Sequence, residues 1–237
     1  MPSLAQIGSA TMTGDITIRA SSIDLNTPAQ ILGLGTLTIE PSDPALTVGV
    51  GGGLTGTQDL YIPTATLNLI QNGFAERIFG RTDGTGTFDI GTYTYADPVT
   101  MVSLTGNMTV DSALATSGGS AIKLASDNMN LNSSVTGTGT LTLEPGQAST
   151  TIGIGNSAFG VFNLNSTEIG QITNGFSGIT IGRTDQDSAV DIQAITFQDP
   201  LTVYGKQIGV NGALNAGANN VTFNLGPASA GTLRDFL

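Results

Sequence analysis

Asp83 and Asp89 recur 102 residues later as Asp185 and Asp191, and Asp187 joins the second set. Carboxylates gathered on a turn suit Ca²⁺, which takes roughly six to eight oxygen ligands. Here the local pattern argues against it. Asp185-Gln186-Asp187 lacks the glycine and the distal glutamate of a helix–loop–helix calcium site, and no Gly-Gly-x-Gly-x-Asp nonapeptide occurs. Arg81 and Arg183 stand two residues before Asp83 and Asp185 and are expected to pair with them or with turn carbonyls.

Other chemistry is equally sparse. The run Gly49-Val50-Gly51-Gly52-Gly53 lacks the Gly-Lys-Ser/Thr ending of a phosphate-binding loop. Its counterpart, Gly153-Ile154-Gly155-Asn156-Ser157, loses two of the glycines, so a tight turn is expected. Histidine and cysteine are both absent, which removes the commonest general base, the commonest metal ligand and any disulfide framework. A glycosidase needs two carboxylates at a set separation, and a polysaccharide lyase needs a strong base. Lys123 and Lys206 are the only lysines, and no dense acidic or basic cluster surrounds them. We therefore assign no catalytic, cofactor-binding or metal residues and expect no enzyme activity. Lys and Arg total 7 against 18 Asp and Glu, a net charge of −11, which argues against nucleic acid and anionic membrane as partners. No apolar run is long enough for membrane insertion, and the opening MPSLAQIGSATMTGDITIRA, with neither a basic start nor an apolar run, does not read as a signal peptide.

The elements that must carry these residues are written twice. NGFAERIFGRTDGTG at 72–86 returns as NGFSGITIGRTDQDS at 174–188. GTLTIEP at 35–41 returns as GTLTLEP at 139–145, TVGVGGG at 47–53 as TIGIGNS at 151–157, and DPVT at 97–100 as DPLT at 199–202. IDLN at 23–26 has a counterpart in MNLN at 129–132. The repeats imply units of approximately 23–126 and 129–225, with 1–22 a leading partial coil and 226–237 a terminal tail. Within each unit apolar residues alternate: Leu37/Ile39, Val48/Val50, Leu60/Ile62 and Phe88/Ile90 match Leu141/Leu143, Ile152/Ile154, Phe162/Leu164 and Val190/Ile192. Period two marks strands with one buried face. Strands recur about every ten residues between Gly, Asn, Asp, Ser, Thr and Pro turns. A sandwich and a solenoid both fit that spacing. Internal repetition, uncharged Thr and Asn at outward positions, and only 5% aromatic residues with no Trp favour the solenoid.

Two local features break the strand rhythm. Asn165 to Phe176 reads as one or two helical turns, capped by Asn165 or Ser166, with Glu168 in the first turn and Gly175 at a left-handed end. Pro63, Leu67, Ile70, Gly73 and Phe74 take the same places in the first unit. Asp97-Pro98 and Asp199-Pro200 read as turns opening a strand, the Asp bonding the local backbone.

The phrases GTLTLEP, TIGIG, an Asn-Gly-Phe turn, ITIGRTD and DPLT resemble repeats of filamentous-haemagglutinin-like bacterial exoproteins, across approximately residues 20–225. The resemblance implies a secreted, right-handed β-helical stalk at the cell surface or outside the cell, acting in adhesion. It carries no catalytic residues.

The expected fold is thus all-β: one right-handed parallel β-helix of about seven coils, with short helical turns flanking the core. The expected role is a non-catalytic spacer or contact surface. Expected partners are a glycan or protein of a host or neighbouring cell, neighbouring repeats of the same protein, and end-to-end copies of the chain. Tyr61, Tyr93 and Tyr204 are the aromatic contacts of the alternative, a carbohydrate- or protein-binding module, although each also fits a partly buried strand position. Less favoured are a polysaccharide-active enzyme and an ice-binding solenoid. The Thr-x-Thr units at 36–38, 64–66, 92–94 and 140–142 do not recur at a constant coil length.

Overall fold

The computed structural model describes residues 5–25 and 28–226, and the backbone of 232–235. Its strands pair in parallel and stack into a β-solenoid of about 10 turns. The first face is one continuous sheet of nine strands, from Ile16–Ala20 to Val221–Leu225. Its register carries Ile16 to Leu37, Arg77, Val99, Ile122, Leu141, Ile179, Leu201 and Val221. A second inward column runs from Ile18 through Ile39, Phe79, Met101, Leu124, Leu143, Ile181 and Val203 to Phe223. Apart from Arg77 and the exposed Val221, the residues of these columns belong to one hydrophobic cluster that extends from Ile16 to Ile208, or, as Ile18 and Phe223, pack against it. Because like positions stack at about 4.8 Å, each coil buries its apolar face against its neighbours.

The turns are shorter and more numerous than the seven coils expected. Successive positions in the first column are 21, 40, 22, 23, 19, 38, 22 and 20 residues apart. An ordinary coil takes about 21 residues because its third face is a strand of two or three residues, such as Leu114–Thr116 or Ile195–Thr196. Such a strand presents one inward apolar side chain, so it has no hydrophobic alternation to read.

The two long steps explain why the chain is written twice. On the second face Val48–Val50 pairs with Phe88–Ile90 of the next coil, and on its other edge with Leu60–Ile62. The chain therefore steps back after Val50 and lays a further parallel strand on the preceding side. Ile152–Ile154 does the same with Phe162–Leu164 and Ala189–Ile192. Each returning strand leads into a single helical turn, α1 (Thr64–Leu67) or α2 (Ser166–Ile169). Asn165 caps α2 in a capping box with Glu168, whereas α1 follows Pro63 with no side-chain cap. The helix ends sooner than expected: Gly170 closes α2, and Gly175 (φ 137°) makes a separate turn beyond it. Ile169, Ile172 and Phe176 are buried.

Asp97 and Asp199 do not bond their local backbone. Each is buried and accepts the N–H of a glycine 24 residues earlier, Gly73 or Gly175, so it ties one coil to the one before. The expected tail at 226–237 contains a strand, since the backbone of Thr232–Asp235 pairs with Gln207–Val210. Asn26 of the IDLN phrase, Met1–Leu4 and 227–231 lie outside the described residues.

Candidate functional site

Both arginine–aspartate pairs form. Arg81 Nε and Nη2 donate to the two carboxylate oxygens of Asp83 at 2.7 and 2.8 Å, and Arg183 holds Asp185 at 2.8 and 3.0 Å. The third nitrogen of each reaches a turn carbonyl, Pro41 or Gly146. The neighbouring guanidinium keeps Asp83 and Asp185 below the usual carboxylate range. Asp89 and Asp191 do not join them; they project from the second face. Among the described residues no three acidic side chains converge to hold a metal. Lys123 and Lys206 are paired with Glu144 and Asp187.

The first face presents a column of threonines. Thr17, Thr38, Thr100, Thr142, Thr180, Thr202 and Thr222 stack outward, interrupted by Ile78 and Lys123. Variable coil length does not disturb this column, because the extra residues go into the second face and the helical turns. The Thr-x-Thr units do not build a second column: Thr36 stacks on Glu76, and Thr140 on Gly178.

The second face carries the more distinctive chemistry. Its outward column reads Tyr61, Gly49, Asp89, Thr109 and Asn130 in the first sheet, then Asn163, Gly153, Asp191 and Gly209 in the second. The return loops, 51–59 and 155–161, lie across this face at its two glycines. A Cβ on Gly49 would sit 2.7 Å from the Gln58 side chain, and one on Gly153 would sit 2.4 Å from Asn163 Nδ2. The glycines therefore serve the close approach of the loops, while Gly51 (φ 105°) and Gly53 (φ 76°) turn the first loop away from its strand. Each loop is anchored to the aspartate of the next coil. Gln58 Nε2 donates to Asp89 at 3.1 Å, and the Phe159 N–H donates to Asp191 at 2.8 Å.

Around the second loop lies a groove lined by Phe159, Val161, Asp191, Gln193, Gly209 and Asn211. Asn211 Nδ2 and Gln193 Nε2 also donate to Asp191, at 2.6 and 3.2 Å. Burial works against the charged form of Asp191, but these hydrogen bonds outweigh it and leave its pKa below the ordinary value. Val161 also walls a polar trough on the other side, over Asp89, Thr109 and Asn130. Phe159 is 83% and Val161 61% exposed.

The tyrosines proposed from sequence occupy structural positions. Tyr61 Oη donates to the Gly51 carbonyl and so braces the first loop, as Asn163 Nδ2 braces the second through Ala158. Tyr93 stacks edge-on against Tyr95, and its hydroxyl bonds Asn68. Tyr204 is half-buried beside Lys123, Glu144 and Arg183 on the first face.

Sequence reasoning missed Phe159, Val161, Gln193 and Asn211. The signal lay in positions where the two units differ. Counted back from the returning strand, Phe159 and Val161 stand where the first unit has Thr57 and Asp59.

It also missed Arg77, which is fully buried in the first inward column where the second unit has Ile179. Arg77 pairs with Asp97 at 2.6 Å, but its Nη1 and the buried Tyr95 Oη have no hydrogen-bond partner among the described residues. Burial pushes the Tyr95 phenol well above its ordinary pKa.

No family model, curated protein or solved structure matches this chain, and nothing in those comparisons links it to filamentous-haemagglutinin-like repeats.

Proposed function

We propose that the chain is a non-catalytic segment of a secreted or cell-surface bacterial protein, a β-helical rod that acts as spacer and adhesive contact surface. The observation that supports this reading is the unbroken nine-stranded ladder of the first face, backed by one apolar cluster along the same axis. Bending such a rod would break main-chain hydrogen bonds and open stacked core contacts together. The sequence resemblance supports the extracellular setting. The partners in this reading are a glycan or protein on a host or neighbouring cell, and adjoining repeats or copies of the same protein.

A second reading, a carbohydrate- or protein-binding module, is favoured by the exposed Phe159 and Val161. Both readings are tested by coating beads with the purified chain. Bead adhesion to cells or immobilised glycans, with no release of reducing ends from polyuronates or glucans, is the expected result. Release of reducing ends, or beads that adhere no better than albumin-coated ones, would refute the adhesive, non-catalytic role.

A further inference from the structure

We infer that the groove beside the 155–161 loop binds a neutral saccharide. The inference rests on the contact-surface reading above and deepens it by naming the ligand class. It starts from two differences between units that share one backbone plan. The fold-bearing positions agree: Gly49 and Gly153, Asp89 and Asp191, Ile70 and Ile172. The groove positions do not. Phe159 replaces Thr57 on the loop, and Gly209 replaces Thr109 beside the aspartate.

Neither change serves the stack. The first unit folds the same way without them, and an 83%-exposed Phe gains nothing from the core. Both changes fall at one spot. They clear the floor of the groove and set an aromatic side chain at its edge. The loop that carries Phe159 is fixed by its own N–H on Asp191.

The rim of the groove is polar. Asn211 and Gln193 each spend an N–H on Asp191 and carry an amide oxygen on the same group. A carboxylate and planar amides beside an aromatic ring suit a sugar, whose hydroxyls exchange hydrogen bonds with the rim while its C–H face lies on the ring. The net charge of −11 and the Asp191 carboxylate repel polyanions, which argues against an acidic polysaccharide as the ligand.

The test is affinity electrophoresis of the whole chain through gels containing β-glucan, α-mannan, galactomannan or dextran, with polygalacturonate as the charged control. At least one neutral polymer should retard the wild type. Phe159→Ala should weaken retardation at least tenfold, Gly209→Thr should abolish it, and Thr57→Ala should leave it unchanged. Melting of each variant checks that it folds. The inference is overturned if no neutral polymer retards the wild type, or if Phe159→Ala is retarded equally. It is also overturned if Phe159→Ala abolishes a concentration-dependent self-association, which would make the patch a contact between copies. Cleavage of a retarding polymer would remove the non-catalytic reading while leaving the binding result standing.

Discussion

Arg77 offers a comparison that the protein has already made internally. In the first unit a guanidinium fills an inward position between Leu37 and Val99; in the second, Ile179 fills it between Leu141 and Leu201. Tyr95 likewise becomes Phe197, while the buried aspartate stays, as Asp97 and Asp199. Arg77 donates twice to Asp97, at 2.9 and 2.6 Å, and to Asn72 and the Gln71 carbonyl at 2.9 and 3.3 Å. Arg77→Ala leaves Asp97 buried with the Gly73 N–H alone and opens a cavity, which is expected to cost about 3–5 kcal/mol. At this chain length that lowers Tm by about 6–20 °C. Arg77→Ile with Tyr95→Phe recreates the second unit. It fills the volume and removes two orphaned polar atoms, each a burden of about 1–3 kcal/mol. Asp97 keeps the Gly73 N–H, as Asp199 keeps that of Gly175, so the double variant should lie between the alanine variant and wild type. Urea unfolding followed by circular dichroism measures both. The reasoning fails if Arg77→Ala costs under about 1 kcal/mol, or if the double variant is no more stable than the alanine variant.

Other outcomes follow from the same geometry. Leu141 is fully buried between Ile122 and Ile179, so Leu141→Asp should unfold the protein rather than separate associated copies; a folded, soluble variant would contradict its core placement. Gly153→Ala should cost about 1–3 kcal/mol and expose the 155–161 loop to limited proteolysis, while Gly14→Ala, with open space around it, should do neither. Asp191 has a depressed pKa, so the stability its charge contributes is complete above the unfolded value of about 3.9 and is lost as pH falls through the lower folded value. The stability of Asp191→Asn relative to wild type should thus be flat from neutral pH to about pH 5 and converge on wild type in stronger acid. A difference that vanishes between about pH 7 and 5 would contradict this.

The sequence was most legible where a strand is long enough to alternate. Leu37/Ile39, Leu141/Leu143 and their equivalents announced the first two faces, and internal repetition announced a solenoid. The third face was hidden because Val135–Thr136 or Leu214–Asn215 offers one inward residue and no period. The backward step of the returning strands was also hidden. Leu60–Ile62 looks like any other strand in one dimension, and only pairing shows that it lies behind Val48–Val50. Matching the units identified what the fold requires and drew attention to Asp89, Asp191 and the loop glycines. It drew attention away from Phe159, Gly209 and Arg77, whose meaning lies in having no match. Arg77 was the hardest to read, since a charged residue in an apolar column contradicts the pattern that finds the column.

The parallel stack with two backward steps is tested most directly by one distance. Thr38 and Thr202 point outward from the first face, six ladder steps apart. Nitroxide labels on cysteines at these two positions, measured by double electron–electron resonance, should lie about 29 Å apart. A solenoid of uniform 21-residue coils would place them about 37 Å apart, nearly eight steps. That value, or the broad distribution expected of a differently folded chain, would contradict the architecture described here.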